Sequence, residues 1–392
     1  MTNKNYTSLK LAILTMSLVQ LGTNGISPIL AQIAAAFPDA PVTTVQFLMT
    51  FPSIFSMICT LLSAFLAEKL PKKMLAISGL SIVAVGGLMA FLFHDSLFIL
   101  YVWAGLIGIG LGMTAPVAPS LINSTFNGGE MKKMLGWQNS AANIGSMIMT
   151  FAGGFLATAG WNFGYLVYLI AIPGIIFTIK GVKGNNQGSE ISSSDISCKR
   201  PAFRLVIWRE MIIVCVFLAS YSAVPVNMSM LIEENGLGGA SVSGVMSAVF
   251  MFAGTVMGLA FGQFTKIFRR FTDIVGILFL AAGAFLMAVS TSMFMMICGC
   301  FVAGLSMSIV MPSCMAAGSR LKGYETINTA ILMAVSHVGA FISPLITSIS
   351  AAITGSSASS YRFIAIYILC LILAIATIFL KSLTKNEKGN LY

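Results

Sequence analysis

The chain has 392 residues, 57% of them apolar and 9% charged, with a mean hydropathy of +0.92 and a formal net charge of +10. Its apolar runs, about 20 to 28 residues long and without period-2 alternation, exceed what a soluble core needs and exclude a β-barrel. That leaves an all-α membrane protein.

Twelve segments satisfy the length of a membrane-spanning helix: roughly 10–36, 43–67, 74–93, 97–123, 133–158, 163–181, 210–232, 242–265, 273–290, 293–318, 327–353 and 361–381. The first ends on Ala34-Ala35-Ala36, which looks like a leader-cleavage site. Its apolar region is too long for a leader and is interrupted by Gln20 and Asn24, so it reads as a retained span. Gln20, Asn24 and Ser27 are spaced i, i+4, i+7 and would share one face of a continuous helix. The second segment closes on Glu68-Lys69-Leu70-Pro71-Lys72-Lys73. The fourth is crowded by Gly108, Gly110, Gly112, Pro116 and Pro119, as tight packing or a bending element requires. The fifth carries Gln138, Asn139 and Asn143. A polar stretch with linker composition, 182–208, follows the sixth. The seventh places Tyr221, Ser222 and Asn227 around Pro225, and the eighth closes on Lys266-Ile267-Phe268-Arg269-Arg270. The tenth carries Pro312 and a stripe of Met307, Met311 and Met315. Thioethers are Cu(I) ligands, but adaptable filler or cavity lining is the simpler role. The eleventh holds His337, a residue able to exchange a proton near neutral pH or to sit as a neutral imidazole bonded to a carbonyl or to Ser336.

The two basic turns lie just under 200 residues apart, and Ala104-Gly105-Leu106 matches Ala303-Gly304-Leu305 as Gly145 matches Gly339, at a similar offset. Two pseudo-symmetric six-helix bundles are therefore expected, 1–181 and 209–392, joined by a cytoplasmic linker, 182–208. With both termini inside, nearly every Lys and Arg falls on the cytoplasmic face and only Arg362 falls outside. The +10 charge is thus a topology signal in a cytoplasmic membrane, and no nucleic-acid partner is implied. The seven cysteines form no C-x-x-C, so neither a disulfide framework nor a zinc site is expected, and no cofactor is implied.

Twelve spans, a central linker and a basic turn after spans two and eight resemble the major facilitator superfamily, whose members are built from two halves with binding near the midplane. The family signature Gly-x-x-x-Asp-Arg-x-Gly-Arg-Arg reads here as Ala64-Phe65-Leu66-Ala67-Glu68-Lys69-Leu70-Pro71-Lys72-Lys73. The resemblance implies a gate in which Glu68, beside Lys69, caps the start of the eleventh span near Glu325–Asn328; Lys72 and Lys73 serve topology. Lys266, Arg269 and Arg270 are the counterpart in the second half. Of the fifth-span exporter motif, Gly145 and Gly153-Gly154 remain, with Met149-Thr150 in place of Gly-Pro, and the fourth-span Arg of proton-linked exporters would fall at Ala104. The likeness to the drug and metabolite exporter branch is loose.

By the same resemblance spans 1, 4, 7 and 10, flanked by 2, 5, 8 and 11, line the path. Gln20, Asn24, Ser27, Gln138, Asn139, Asn143, Tyr221, Asn227, Met307 and Met311 are then the candidate solute contacts, with His337 for proton coupling. Each amide taken alone is equally well explained by hydrogen bonding between helices. No buried Lys or Arg is expected to neutralise an anion, and no buried Asp or Glu to pair with a cation, so a neutral, zwitterionic or amphipathic solute is favoured. The absence of G-x-x-x-x-G-K-[ST] points to an ion or solute gradient as the driving force. The expectation is a monomeric secondary transporter, not an enzyme, working by alternating access with a lean to efflux. Proton-linked uptake and a non-transporting sensor are the alternatives.

Overall fold

In the computed structural model each of the twelve apolar segments is helical, and no strand occurs among the described residues, which are 3–69, 71–126, 128–182, 205–318, 325–354 and 358–388. The first segment comprises α1 (Asn3–Ser17), a 3-10 helix (Gly22–Ile29) and α2 (Leu30–Ala36). The second and third are α3 (Val42–Lys69) and α4 (Lys72–Leu92). The fourth is divided into α5 (Leu97–Thr114) and α6 (Val117–Thr125). The fifth is α7 (Gly128–Leu156), and the sixth joins a 3-10 helix (Trp161–Ile170) to α8 (Ala171–Gly181). In the second half α9 (Leu205–Glu234), α10 (Ala240–Phe268) and α11 (Thr272–Ala288) supply segments seven to nine. The tenth is divided into α12 (Met293–Leu305) and α13 (Met307–Gly318), and α14 (Glu325–Thr354) and α15 (Ser359–Lys388) complete the chain. Among the described residues eight helices are long and apolar enough to cross a membrane. A ninth is counted if Tyr6–Ser17 and Gly22–Ala36, bent by 41°, form one span. Thr272–Ala288 and Ile331–Ile346 are apolar but shorter.

The interruptions have local causes. Pro28 has no N–H for the turn before it, and Gly22 and Gly25 flank Asn24 in the 3-10 stretch. Pro116 ends α5 and starts α6. The tenth segment breaks elsewhere than its proline suggests: Pro312 lies inside α13, and the break is at Ser306, whose hydroxyl turns back on the Ala303 carbonyl at 2.6 Å.

The chain divides into two compact units, Met1–Ser197 with Gly239–Ala248 and Cys198–Gly238 with Val249–Tyr392. The same devices recur in both. Ser96 caps α5 by accepting a hydrogen bond from the Phe98 N–H, and Ser292 caps α12 by accepting one from the Met295 N–H. In the first unit Gly145 of α7 lies so close to the end of α1 that a Cβ there would stand 1.9 Å from the Leu18 carbonyl oxygen. In the second, Gly339 of α14 meets the Cys215 carbonyl oxygen of α9 in the same way, at 2.4 Å. The pairing of Gly105 with Gly304 is corrected by one turn. Gly304 presses on the Phe250 carbonyl oxygen, and its counterpart is Gly108, which presses on that of Pro52; Gly105 has only ordinary contacts with phenylalanine rings.

Charged groups brace the helix ends within each unit. Lys73 donates to the Ile179 carbonyl in the last turn of α8 at 2.7 Å, and Lys72, itself buried, donates to the Ser120 carbonyl of α6 at 3.4 Å. Lys73 is thus a cation at a helix C-terminus, favourably placed against the backbone dipole, whereas the Ser120 carbonyl belongs to the first turn of α6. In the second unit the polarity is reversed: Lys381 near the end of α15 pairs with buried Asp273 in the first turn of α11.

Candidate functional site

Within the first unit the polar residues of the first segment meet those of α7. Gln138 donates its amide N–H to the Gln20 side-chain oxygen at 3.3 Å, and Asn24 donates to the Ser146 hydroxyl at 3.4 Å. Ser27 lies 3.4 Å from the hydroxyl of Ser247, in the part of α10 that packs with this unit. The chain between Ser17 and Leu30 is not an α-helix, so the i, i+4, i+7 argument does not hold there. Asn24 and Ser27 nevertheless share a face, because residues three apart eclipse in a 3-10 turn. The backbone approach at Gly145 lets these short side chains touch at all. Gly154, one of the surviving glycines of the fifth-span motif, likewise leaves room for the Ala240 carbonyl and Gly244. Asn139 is exposed, and Asn143, half-buried, donates to the Asn139 carbonyl of its own helix at 3.1 Å.

In the second unit the Tyr221 ring lies between Phe217 (centroids 5.9 Å apart) and Phe250 (4.7 Å), both fully buried. Pro225 deprives the Tyr221 carbonyl of its helical donor. Asn227 does not reach into open space. Its Nδ2 donates to the Ala223 carbonyl at 2.8 Å and its Oδ1 accepts from Arg362 at 3.3 Å. Met307 and Met311 are half-buried on α13, where the Ser308 hydroxyl donates to the Gly254 carbonyl at 2.6 Å. His337 is half-buried on α14. Ser336 beside it donates to the Met333 carbonyl at 2.6 Å, so its one proton is committed to its own helix.

Two expectations about charge need correction. Glu210 and Asp273 are buried, with 2% and 3% of their surface exposed, and so is Arg362 at 5%. Glu210 is bound by Arg209 and lies against the Cys314 thiol, and Asp273 is bound by Lys381. Arg362, expected at the external surface, is turned inward onto α9. All three sit within the first turns of their helices. Sequence reasoning placed them at span boundaries and so treated them as wet. The useful signal was their position two to six residues inside a helix start, next to an opposite charge or facing an amide. No Asp, Glu, Lys or Arg occupies the central turns of any of the twelve segments.

Of the expected gate, the side chains of Glu68, Lys69 and Arg270, and those of residues 325–328, lie outside the described residues. Lys72 and Lys73 brace α6 and α8 as described above. Lys266 and Arg269 are exposed, and Arg269 adopts φ 45° where α10 turns towards α11. Within the first unit Lys10 pairs with Glu130 at 2.7 Å, 5.0 Å over the Tyr6 ring and 5.5 Å from that of Phe126. This ties the middle of α1 to the first turn of α7. Among the described residues no group of three or more His, Cys, Asp or Glu could hold a metal ion.

Among the described residues, an all-helical arrangement of broken and proline-bearing apolar segments with no charge in their central turns is that of a multi-pass membrane protein. Solved structures similar to it include the nucleoside transporter NupG, with a TM-score of 0.77 at 10% identity over 95% of this chain and 99% of that one. A bacterial homologue of the human lysosomal transporter Spinster, inward-facing and occupied, gives 0.74 at 13% over 97% of each. The peptide transporter POT in complex with alafosfalin gives 0.73 at 11% over 95% and 94%. At these identities the likeness is one of fold. No curated protein matches the sequence. The sequence matches the Major Facilitator Superfamily over residues 12–344, and the chain belongs to that family of membrane transporters.

Proposed function

We propose that the protein moves a small neutral, zwitterionic or amphipathic solute across the cytoplasmic membrane by alternating access of two six-helix halves, 1–181 and 209–392, with both termini cytoplasmic. The observation that carries this reading is the character of the polar groups inside the helices. Gln20, Asn24, Ser27, Gln138, Asn139, Asn143 and Tyr221 are amides and hydroxyls, and the buried charges lie towards the helix ends, Asp273 on Lys381 and Arg362 on the Asn227 amide. A solute carrying a full net charge would meet no opposite charge in the central turns, whereas amides and a phenol can orient a neutral one in an apolar cleft. Asn227 is withdrawn from this set, because Arg362 holds it. Met307 and Met311 contribute adaptable apolar surface.

Energy is supplied by a proton gradient and His337 is the coupling group, a reading supported by its half-buried place in an apolar helix, α14. The surviving glycines of the fifth-span motif favour export. The test is transport in proteoliposomes with an imposed pH gradient, using neutral, anionic and cationic members of one solute series. The neutral members are expected to be moved, and His337→Gln to abolish dependence on the gradient while leaving downhill exchange. Transport of the charged members alone, or gradient dependence unaltered in His337→Gln, would contradict the proposal.

A further inference from the structure

The outer end of α9 is tied to the first turn of α15 at two points. Asn227, Met230 and Glu234 stand at i, i+3 and i+7 on one face of α9, and Ser359 and Arg362 stand at i and i+3 on α15. Glu234 accepts the Ser359 backbone N–H at 2.7 Å and its hydroxyl at 2.8 Å, placing a carboxylate on the N-terminus of α15. One turn further in, Arg362 donates from Nη1 to the Asn227 side-chain oxygen at 3.3 Å and lies 3.4 Å from the Met230 sulfur. The helices run in opposite directions, so the order of the contacts is self-consistent: 234 with 359, then 227 and 230 with 362.

The Asn227 amide can face only one way in this arrangement. A guanidinium has donors alone and so takes Oδ1; a carbonyl has acceptors alone and so takes Nδ2. The second bond, to the Ala223 carbonyl, crosses Pro225, the position at which α9 lacks a backbone hydrogen bond. Asn235 adds a third tie, donating to the Ser290 carbonyl just beyond α11 at 3.2 Å.

We infer that Arg362 and Glu234 join the outer end of α9 and the start of α15 into one rigid element, with Pro225 as the joint and Arg362, acting through Asn227, as the residue that holds the outer end of α9 in place beyond it. Any flexing of α9 is then confined to the side of Pro225 that carries Tyr221. This inference concerns the second unit alone and needs no solute, so it can fail while the transport reading stands, and the reverse.

The experiment is a pair of spin-label distance measurements on the full chain in nanodiscs, with the native cysteines replaced by serine. One pair, Glu233→Cys with Ile368→Cys, reports on the outer end. The other, Ile212→Cys with Ile375→Cys, reports on the inner end. All four positions are exposed. Arg362→Met is expected to lose the narrow outer distance peak and keep the inner one, and Arg362→Lys, which restores a donor, to recover it in part. Glu234→Ala, at an exposed position that does not threaten folding, is expected to lose the outer peak as well. Retention of the outer peak in either Arg362→Met or Glu234→Ala, or equal broadening at both ends, overturns the inference.

Discussion

A methyl group at position 145 has nowhere to go. The carbonyl it would strike belongs to backbone, which cannot swing aside as a flexible side chain can. Gly145→Ala is therefore expected to lower stability by about 1–3 kcal/mol, the usual range for overpacking a close-packed contact. Gly136→Ala, in the same helix and with nothing within 4 Å of the added atom, is expected to raise stability by up to about 1 kcal/mol, since alanine is the better helix former. Thermal unfolding of the two variants in one detergent makes the comparison, and an equal effect would show that the α1–α7 contact is not tight. Residues of this kind were partly legible in the sequence. The match of Gly145 to Gly339 could be read from spacing, because a repeated fold repeats its closest contacts. The match of Gly105 to Gly304 could not, because one turn of slippage is invisible where glycine is abundant. Arg362 was misread for a related reason: hydropathy places a span end to within a turn, and one turn decides whether a side chain faces water or a neighbouring helix.

At the level of helices, the ion pair between Lys381 and Asp273 joins the end of α15 to the start of α11. Lys381→Met leaves a buried carboxylate without its partner. It should cost about 3 kcal/mol, at the lower end of what breaking a buried pair costs, since the lysine side chain remains 24% exposed. The double replacement Lys381→Met with Asp273→Asn removes both charges and should recover much of that loss. Unfolding midpoints of the two single variants and the double variant form the cycle, and an additive result would mean that the pair is not coupled. The length of the apolar runs marked twelve segments, each of which is helical, but not their interruptions. The break at Pro116 carries a proline signal. The break at Ser306 arises from a serine hydroxyl competing for a backbone carbonyl, and serines of that kind are too common in membrane helices to be diagnostic. The i, i+4, i+7 reading of Gln20, Asn24 and Ser27 assumed a continuous helix, and a 3-10 stretch gave Asn24 and Ser27 a shared face by another geometry.

For the whole molecule, class and family follow from features that survive loose sequence: long apolar runs, basic turns at similar places in two halves, and a repeat of about 195–200 residues. The candidate site was less legible. Its residue types were evident, but amides inside a helix serve equally well to bind a solute or a neighbouring helix, and only coordinates separate Asn227, held by Arg362, from Asn139, which is exposed. Proton coupling to a neutral solute is best measured as the lumenal pH of proteoliposomes, read with a trapped dye, while neutral, zwitterionic and amphipathic compounds are added without an imposed gradient. A solute-dependent pH change is expected for at least one such compound in the wild type and none in His337→Gln; silence across the whole series, or an undiminished change in the variant, would overturn the proposal.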